Sequence, residues 1–239
     1  MAAHNNRVSG NGNSVTQAIS SRRSTRAFLP RPVPRATIEE LLGLAARAPS
    51  GGNLQPWFVD VLAGEPLEAL KASVRSSLAG RPRGEGLEFT VYPSPLPEPY
   101  RSRRFAGGEA LYAALGIPRE AKAARLAQFA RNYDFFGAPV GLFVSIDRLF
   151  DRPQWAHLGM FLQNLMLLAE ERGLATCPQE AWAAVHATVA ERLGLPDGRI
   201  LYCGMALGYA DEAAPINKWR TERAPLDHFA TFRGFEPSL

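Results

Sequence analysis

The chain holds two cysteines in 239 residues, Cys177 and Cys203, each in apolar surroundings with no second cysteine at paired spacing. That argues against a disulfide scaffold and against a cysteine-based zinc site. Histidine is scarce as well. His4 lies in a polar tail, and His157, His186 and His228 have no partner at metal-ligand spacing, so no metal is expected. No apolar run approaches the roughly 20 residues that a membrane span requires. The opening MAAHNNRVSGNGNSV has no apolar segment of the secretory type, so a cytoplasmic protein without membrane attachment is the expectation. Gly-x-Ser-x-Gly and Gly-x-Gly-x-x-Gly are both absent, which leaves neither a nucleophile elbow nor a Rossmann nicotinamide site.

What remains is the composition of a soluble globular protein, with 46% hydrophobic and 21% charged residues. The length suits one domain, read as 15–239 behind a disordered Asn/Gly/Ser-rich tail at 1–14. The net charge of +4 is Arg-heavy and gathers at residues 21–26 and 100–104. Local clusters point to local anions, and no nucleic acid is expected. The contrasting reading, a non-catalytic anion- or nucleic-acid-binding protein, predicts polyanion binding that falls steeply with salt.

Hydrophobic periodicity outlines the elements. A helix begins at Val15 and stops at the basic run SRRSTRAF. A second is predicted from Thr37 as N-cap, with Glu40 completing a capping box and Ile38, Leu41, Leu42 and Ala45 forming its apolar face. Strands are expected at 57–62, 140–146, 174–177 and 200–207, and a helix at 185–193. Residues 64–135 read as mostly helical, interrupted by an irregular Pro/Gly/Arg-rich stretch from 81 to 104. The helix predicted at 155–172, stopped by Gly173, is apolar over more than one face. It is either central to a core or shared with a second subunit.

Two motifs carry chemistry. In Arg22-Arg23-Ser24-Thr25-Arg26, guanidinium forks and hydroxyls match phosphate oxygens. In Pro49-Ser50-Gly51-Gly52-Asn53-Leu54-Gln55-Pro56-Trp57, glycines let the backbone approach a flat ligand, and Asn53 and Gln55 offer both donors and acceptors. Together, with a helix between them, they resemble the flavin mononucleotide (FMN)-dependent nitroreductase family. That family opens on Arg-Arg-Ser-x-Arg-x-Phe, matched from Arg22 to Phe28, and continues with Pro-Ser-x-x-Asn-x-Gln-Pro-Trp, matched from Pro49 to Trp57.

The resemblance implies an α+β sandwich with a central, mainly antiparallel sheet flanked by helices. It also implies an intertwined homodimer with FMN at the interface. FMN-binding positions would be Arg22, Arg23, Ser24, Arg26, Pro49, Ser50, Gly51, Asn53 and Gln55, then Pro178, Gln179, Glu180 and Ala181 beside the flavin, and Arg223 on the phosphate. Ala181 stands where family members often have Gly, and the Glu180 turn would serve through a backbone N–H, so no side chain is assigned acid–base catalysis. The implied activity is ping-pong hydride transfer from NADH or NADPH to a small, aromatic acceptor, a nitroaromatic first. A reductive dehalogenase or ene-reductase on the same fold is the alternative. Tyr100–Phe105 and Asn132–Phe136 fall where members place substrate-covering elements, and ordinary surface and core roles compete there.

Overall fold

The computed structural model describes residues 14–235. The predicted tail therefore lies outside the described residues, except for Ser14. That residue caps the first helix, α1 (Val15–Ser21): its hydroxyl accepts from the Gln17 N–H, and the Gln17 side chain accepts from the Ser14 N–H. The capping box expected at Thr37 is not formed. Helix α2 (Arg35–Ala45) starts three residues earlier, from Pro34, whose fixed φ already suits an extended N-cap. Thr37 thus sits inside the first turn, its N–H bonded to the Pro34 carbonyl at 3.1 Å, and Glu40 pairs with Arg172 at 2.6 Å instead.

Five strands form one antiparallel sheet: β1 (Phe28–Leu29), β2 (Phe58–Ala63), β3 (Val140–Asp147), β4 (Ala175–Gln179) and β5 (Arg199–Ala210). The long β5 is the spine: β3 pairs with it and β2 follows β3, while β4 pairs with β5 along Gly204–Gly208 and β1 pairs with β5 at Tyr209 and Ala210. Both faces are covered, and side chains alternate between two cores. On β3, Val140, Leu142, Val144 and Ile146 pack against α2 and α6 (Arg152–Glu171), while Phe143 joins the core under α3 (Gly64–Gly80) and α7 (His186–Leu193). Each fully buried Leu or Phe here contributes about 1.5–3 kcal/mol. The alternation slips once. Val144 pairs with Cys203 but Ser145 pairs with Leu201, so Tyr202 is an extra, bulged residue and turns to the same core as Cys203.

Helix α6 begins with Pro153 in its first turn and ends at Gly173, which takes the left-handed φ of 69° that a C′ position requires. Leu158, Phe161, Leu162, Leu165 and Ala169 are buried, while Met160 is exposed. The irregular stretch is shorter than predicted. Residues 100–104 are helical and open α4 (Tyr100–Ala114), because Glu98 accepts the Ser102 N–H at 3.2 Å and pairs with Arg101, stabilising the helix start. With α5 (Lys122–Ala130), α4 forms an excursion in which no residue of either helix is fully buried. No helix among the described residues is long and apolar enough to cross a membrane.

Candidate functional site

The first cluster is built where α1 ends. Thr25 donates its N–H to the Thr176 carbonyl at 3.0 Å, and the Arg26 N–H donates to Asn217 Oδ1 at 2.8 Å. Buried Asn217 also donates to the carbonyls of Ala27 and Asp211, at 2.8 and 2.9 Å, pinning the C-terminal segment to the N-terminal one. Arg220 completes the junction by donating to the carbonyls of Ser20 and Ser21, the orphan acceptors at the end of α1. The result is a cavity of about 260 Å³ lined by Arg22, Arg23, Ser24, Arg26, Arg220 and Arg223.

Most of the arginines in this cavity have no ion-pair partner among the described residues. Arg23 pairs with Glu212 and Arg220 is spent on backbone, but Arg22, Arg26 and Arg223 form no salt bridge among the described residues. Burial, and then the Arg223 guanidinium beside it, lower the pKa of Arg22. Like charges held this close call for an anion, and guanidinium forks accept the oxygens of a phosphate. The buried Nε of Arg23 and Oγ1 of Thr176 lack hydrogen-bond partners among the described residues.

The second cluster continues from the first along β4. Thr176 bridges Ser24, and Gln179 follows three residues on, about 10 Å along a strand. Gln179 is buried; its Nε2 donates to the backbone and side-chain oxygens of Asn132, and its Oε1 has no protein partner. Glu180 accepts from the Tyr202 hydroxyl at 3.4 Å, the contact that the bulge makes available, and burial raises its pKa. The Ala181 carbonyl accepts from Tyr133 Oη at 3.3 Å. Pro178 occupies β4 opposite Met205. Burial pushes the Cys177 thiol up to about 11 and Cys203 further, so neither supplies a thiolate at neutral pH.

The third cluster stands apart. Pro49 and the residues from Gly51 to Gln55 are exposed, and the loop is held at the N-terminal half of α6, where the Gly51 N–H donates to His157 Nε2 at 3.4 Å. Arg22 touches the same helix at Met166, nine residues further, or about 13–14 Å along the axis. Within the loop the Gln55 N–H donates to Ser50 Oγ at 3.0 Å. Gly52, Asn53 and Gln55 have φ of 61°, 55° and 47°. Left-handed backbone at two non-glycine residues stores strain of roughly 1–3 kcal/mol each, a feature that gathers at ligand-binding loops.

One chain thus brings Arg22, Arg23, Ser24, Arg26 and Arg223 together, and joins them through β4 to Pro178, Gln179, Glu180 and Ala181. It leaves Pro49, Ser50, Gly51, Asn53 and Gln55 on a separate surface. The arginines of α4 are exposed, with Arg101 paired to Glu98 and Arg104 over the Tyr92 ring at 4.2 Å. Tyr133, Phe135 and Phe136 are core residues rather than site-facing aromatics. Asn217 opens the basic stretch Asn217–Leu226 that includes Arg223, but the sequence gives it no role, because its backbone partners at Arg26 and Ala27 lie far away in the chain.

Residues 19–209 match the Nitroreductase family. The chain is 41% identical to a 4-nitrobenzoate reductase of Pseudomonas putida over 91% of its own length and 95% of that protein's. It superposes with a TM-score of 0.90 and 50% identity on an FMN and NADPH-dependent nitroreductase, NfnB, from sphigopyxis sp. strain HMH, covering 93% of this chain and all of that one. NfnB from Mycobacterium smegmatis, an FMN-dependent nitroreductase solved with NADPH, matches at 31% identity and a TM-score of 0.86, over 91% of this chain and 97% of that one. With the sheet order, the arginine cavity and both sequence motifs in agreement, the chain belongs to the nitroreductase family.

Proposed function

We propose that this protein is an FMN-dependent oxidoreductase that takes hydride from NADH or NADPH and delivers it to a nitroaromatic acceptor, as a homodimer. The observation that carries the reading is the arginine cavity: Arg22, Arg26 and Arg223, none of them in a salt bridge among the described residues, present positive charge around a cavity of about 260 Å³, room enough for a phosphate group. Positive charge confined to a small cavity, rather than spread as a stripe, favours a small anionic ligand over a nucleic acid.

The residues fit FMN on three counts. The arginines and Ser24 suit the phosphate. The orphaned Gln179 Oε1 suits a ring N–H, and the exposed Gly51-Gly52 backbone lets a flat ring approach. FMN, when bound, supplies the redox chemistry, accepting hydride from the nicotinamide and returning it to the acceptor. The chain's own residues bind and orient. Arg22, Ser24, Arg26 and Arg223 would hold the phosphate, Gln179 would accept from the ring, and the Glu180–Ala181 turn would offer backbone N–H donors to developing charge. Glu180 is engaged by Tyr202 and is assigned no proton transfer.

A shared site accounts for the separation of the Ser50–Gln55 loop from the arginine cavity. It also accounts for apolar surface that one chain leaves uncovered. A groove of about 420 Å³ runs along Val15, Ala18, Leu44, Leu167 and Leu168, while Leu226, Phe229 and Phe232 of the C-terminal arm are exposed. The second copy's arm is the occupant we assign to that groove.

Anaerobic mixing with NADPH or NADH should bleach the bound flavin, and 4-nitrobenzoate or nitrobenzene should restore the colour, two electrons taking the nitro group to nitroso and water, and a second nicotinamide being consumed to reach the hydroxylamine. A flavin that neither nicotinamide reduces would overturn this function.

A further inference from the structure

The Gln179–Ala181 turn is gripped by a second turn, residues Arg131–Gly137, which follows α5 directly. Phe135 and Phe136 both adopt left-handed backbone, with φ of 48° and 56°, a conformation bulky residues keep only where their surroundings impose it. Those surroundings are tight. Phe135 stacks on Trp182 with ring centroids 4.5 Å apart, and its ring fills space over Gly141, where a Cβ would come within 2.5 Å. Trp182 occupies the matching slot over Gly204, where a Cβ would lie 2.3 Å from the indole. From outside, Asp134 meets the buried Lys71 of α3 at 3.4 Å.

Two polar groups reach from this braced turn. Tyr133, buried, donates its hydroxyl to the Ala181 carbonyl at 3.3 Å. Asn132 offers its carbonyl at 2.8 Å and its Oδ1 at 3.2 Å to Gln179 Nε2. Two acceptors on one side require the amide nitrogen to face Asn132, which turns Gln179 Oε1 away from it, buried and without a partner among the described residues. Packing alone does not need the Tyr133 contact, since a phenylalanine would fill the same space.

We infer that Asn132 and Tyr133 are positioning residues for flavin reduction: they fix the Gln179 amide and the Ala181 peptide, and so the alignment of whatever lies against that turn. The inference rests on the FMN reading above. Alignment errors well below 1 Å are enough to slow a transfer step, and these two contacts hold the turn without touching the arginine cavity.

The test compares Tyr133→Phe and Asn132→Ala with wild type as holoenzymes, and uses Val74→Ala, a buried α3 residue, as a packing control. Each is measured for thermal midpoint, FMN dissociation constant and anaerobic bleaching rate with NADPH. Tyr133→Phe should keep its midpoint within about 3 °C and its FMN affinity within about threefold, while bleaching slows roughly tenfold, the equivalent of one hydrogen bond. Asn132→Ala should slow it to a similar degree, and Val74→Ala should lower the midpoint while bleaching at the wild-type rate. Wild-type rates in both polar variants, or an equal slowing in Val74→Ala, would overturn the inference while leaving the flavin reading intact. A wild-type protein that takes up no FMN would overturn both together.

Discussion

Arg22 and Arg23 are neighbours in the same motif, yet the structure separates their roles. Arg23 is satisfied by Glu212, whereas Arg22 is half-buried beside Arg223 and has no carboxylate within salt-bridge distance among the described residues. A phosphate would therefore gain most from Arg22, because an unneutralised, partly desolvated guanidinium has no protein partner to give up. Replacing Arg22 with Ala should cost about 1.5–3 kcal/mol of FMN binding, read by titrating apoprotein with FMN; an unchanged dissociation constant would leave Arg22 outside the site. This distinction was illegible in the sequence, where both arginines read alike, because Glu212 lies far along the chain. The Thr37 cap failed for a different reason. Its Thr-x-x-Glu spacing is a genuine local signal, but Pro34 starts the helix earlier and Arg172, from α6, takes Glu40 away.

Among the elements, α7 shows how a long-range contact can replace a local cap. Its N-cap residue Val185 offers no side-chain acceptor, and Glu85 reaches in from the loop after α3 to take the N–H groups of Ala187 and Thr188, at 2.9 and 3.1 Å. The Thr188 and Ser77 hydroxyls donate to the same carboxylate. Burial works against the charge, but the hydrogen bonds from Thr188, Ser77 and Ala187 outweigh it and hold Glu85 below the usual glutamate range. The sign follows: this stability is present above the unfolded glutamate pKa of about 4.3 and is lost as pH falls through the lower folded value. Glu85→Gln should lower stability by about 1–2 kcal/mol at pH 7, and the gap to wild type should close below about pH 4. A gap that persists unchanged at pH 3.5 would assign Glu85 a packing role. Four of the five strands and α6 were legible from periodicity to within a few residues, since their apolar spacing matches the two cores they face; the two-residue β1 was not, because Phe28–Leu29 is too short to show an alternation. The start of α4 was not, because Glu98 stabilises it within a Pro-rich segment that reads as irregular.

Over the whole molecule, the sequence carried the family through two motifs and the sheet through its alternating strands, but not the division of the site into two surfaces. Arg22–Arg26, β4 and Arg223 converge within one chain, while the Ser50–Gln55 loop stays exposed, and only the packing of α6 against both reveals the distance between them. Exposed Leu44, Leu54 and Met160, with Phe229 and Phe232 on the arm, extend the apolar surface of the single chain. Light scattering at micromolar concentration should therefore report twice the chain mass of 26.1 kDa, and a folded, FMN-bound monomer would contradict a site shared between copies. The central claim is that the arginine cavity and the Gln179–Ala181 turn hold FMN. Heat denaturation of the purified protein, followed by chromatography of the released flavin, tests it most directly: the account predicts FMN at one equivalent for each chain, and FAD or no flavin at all would contradict it.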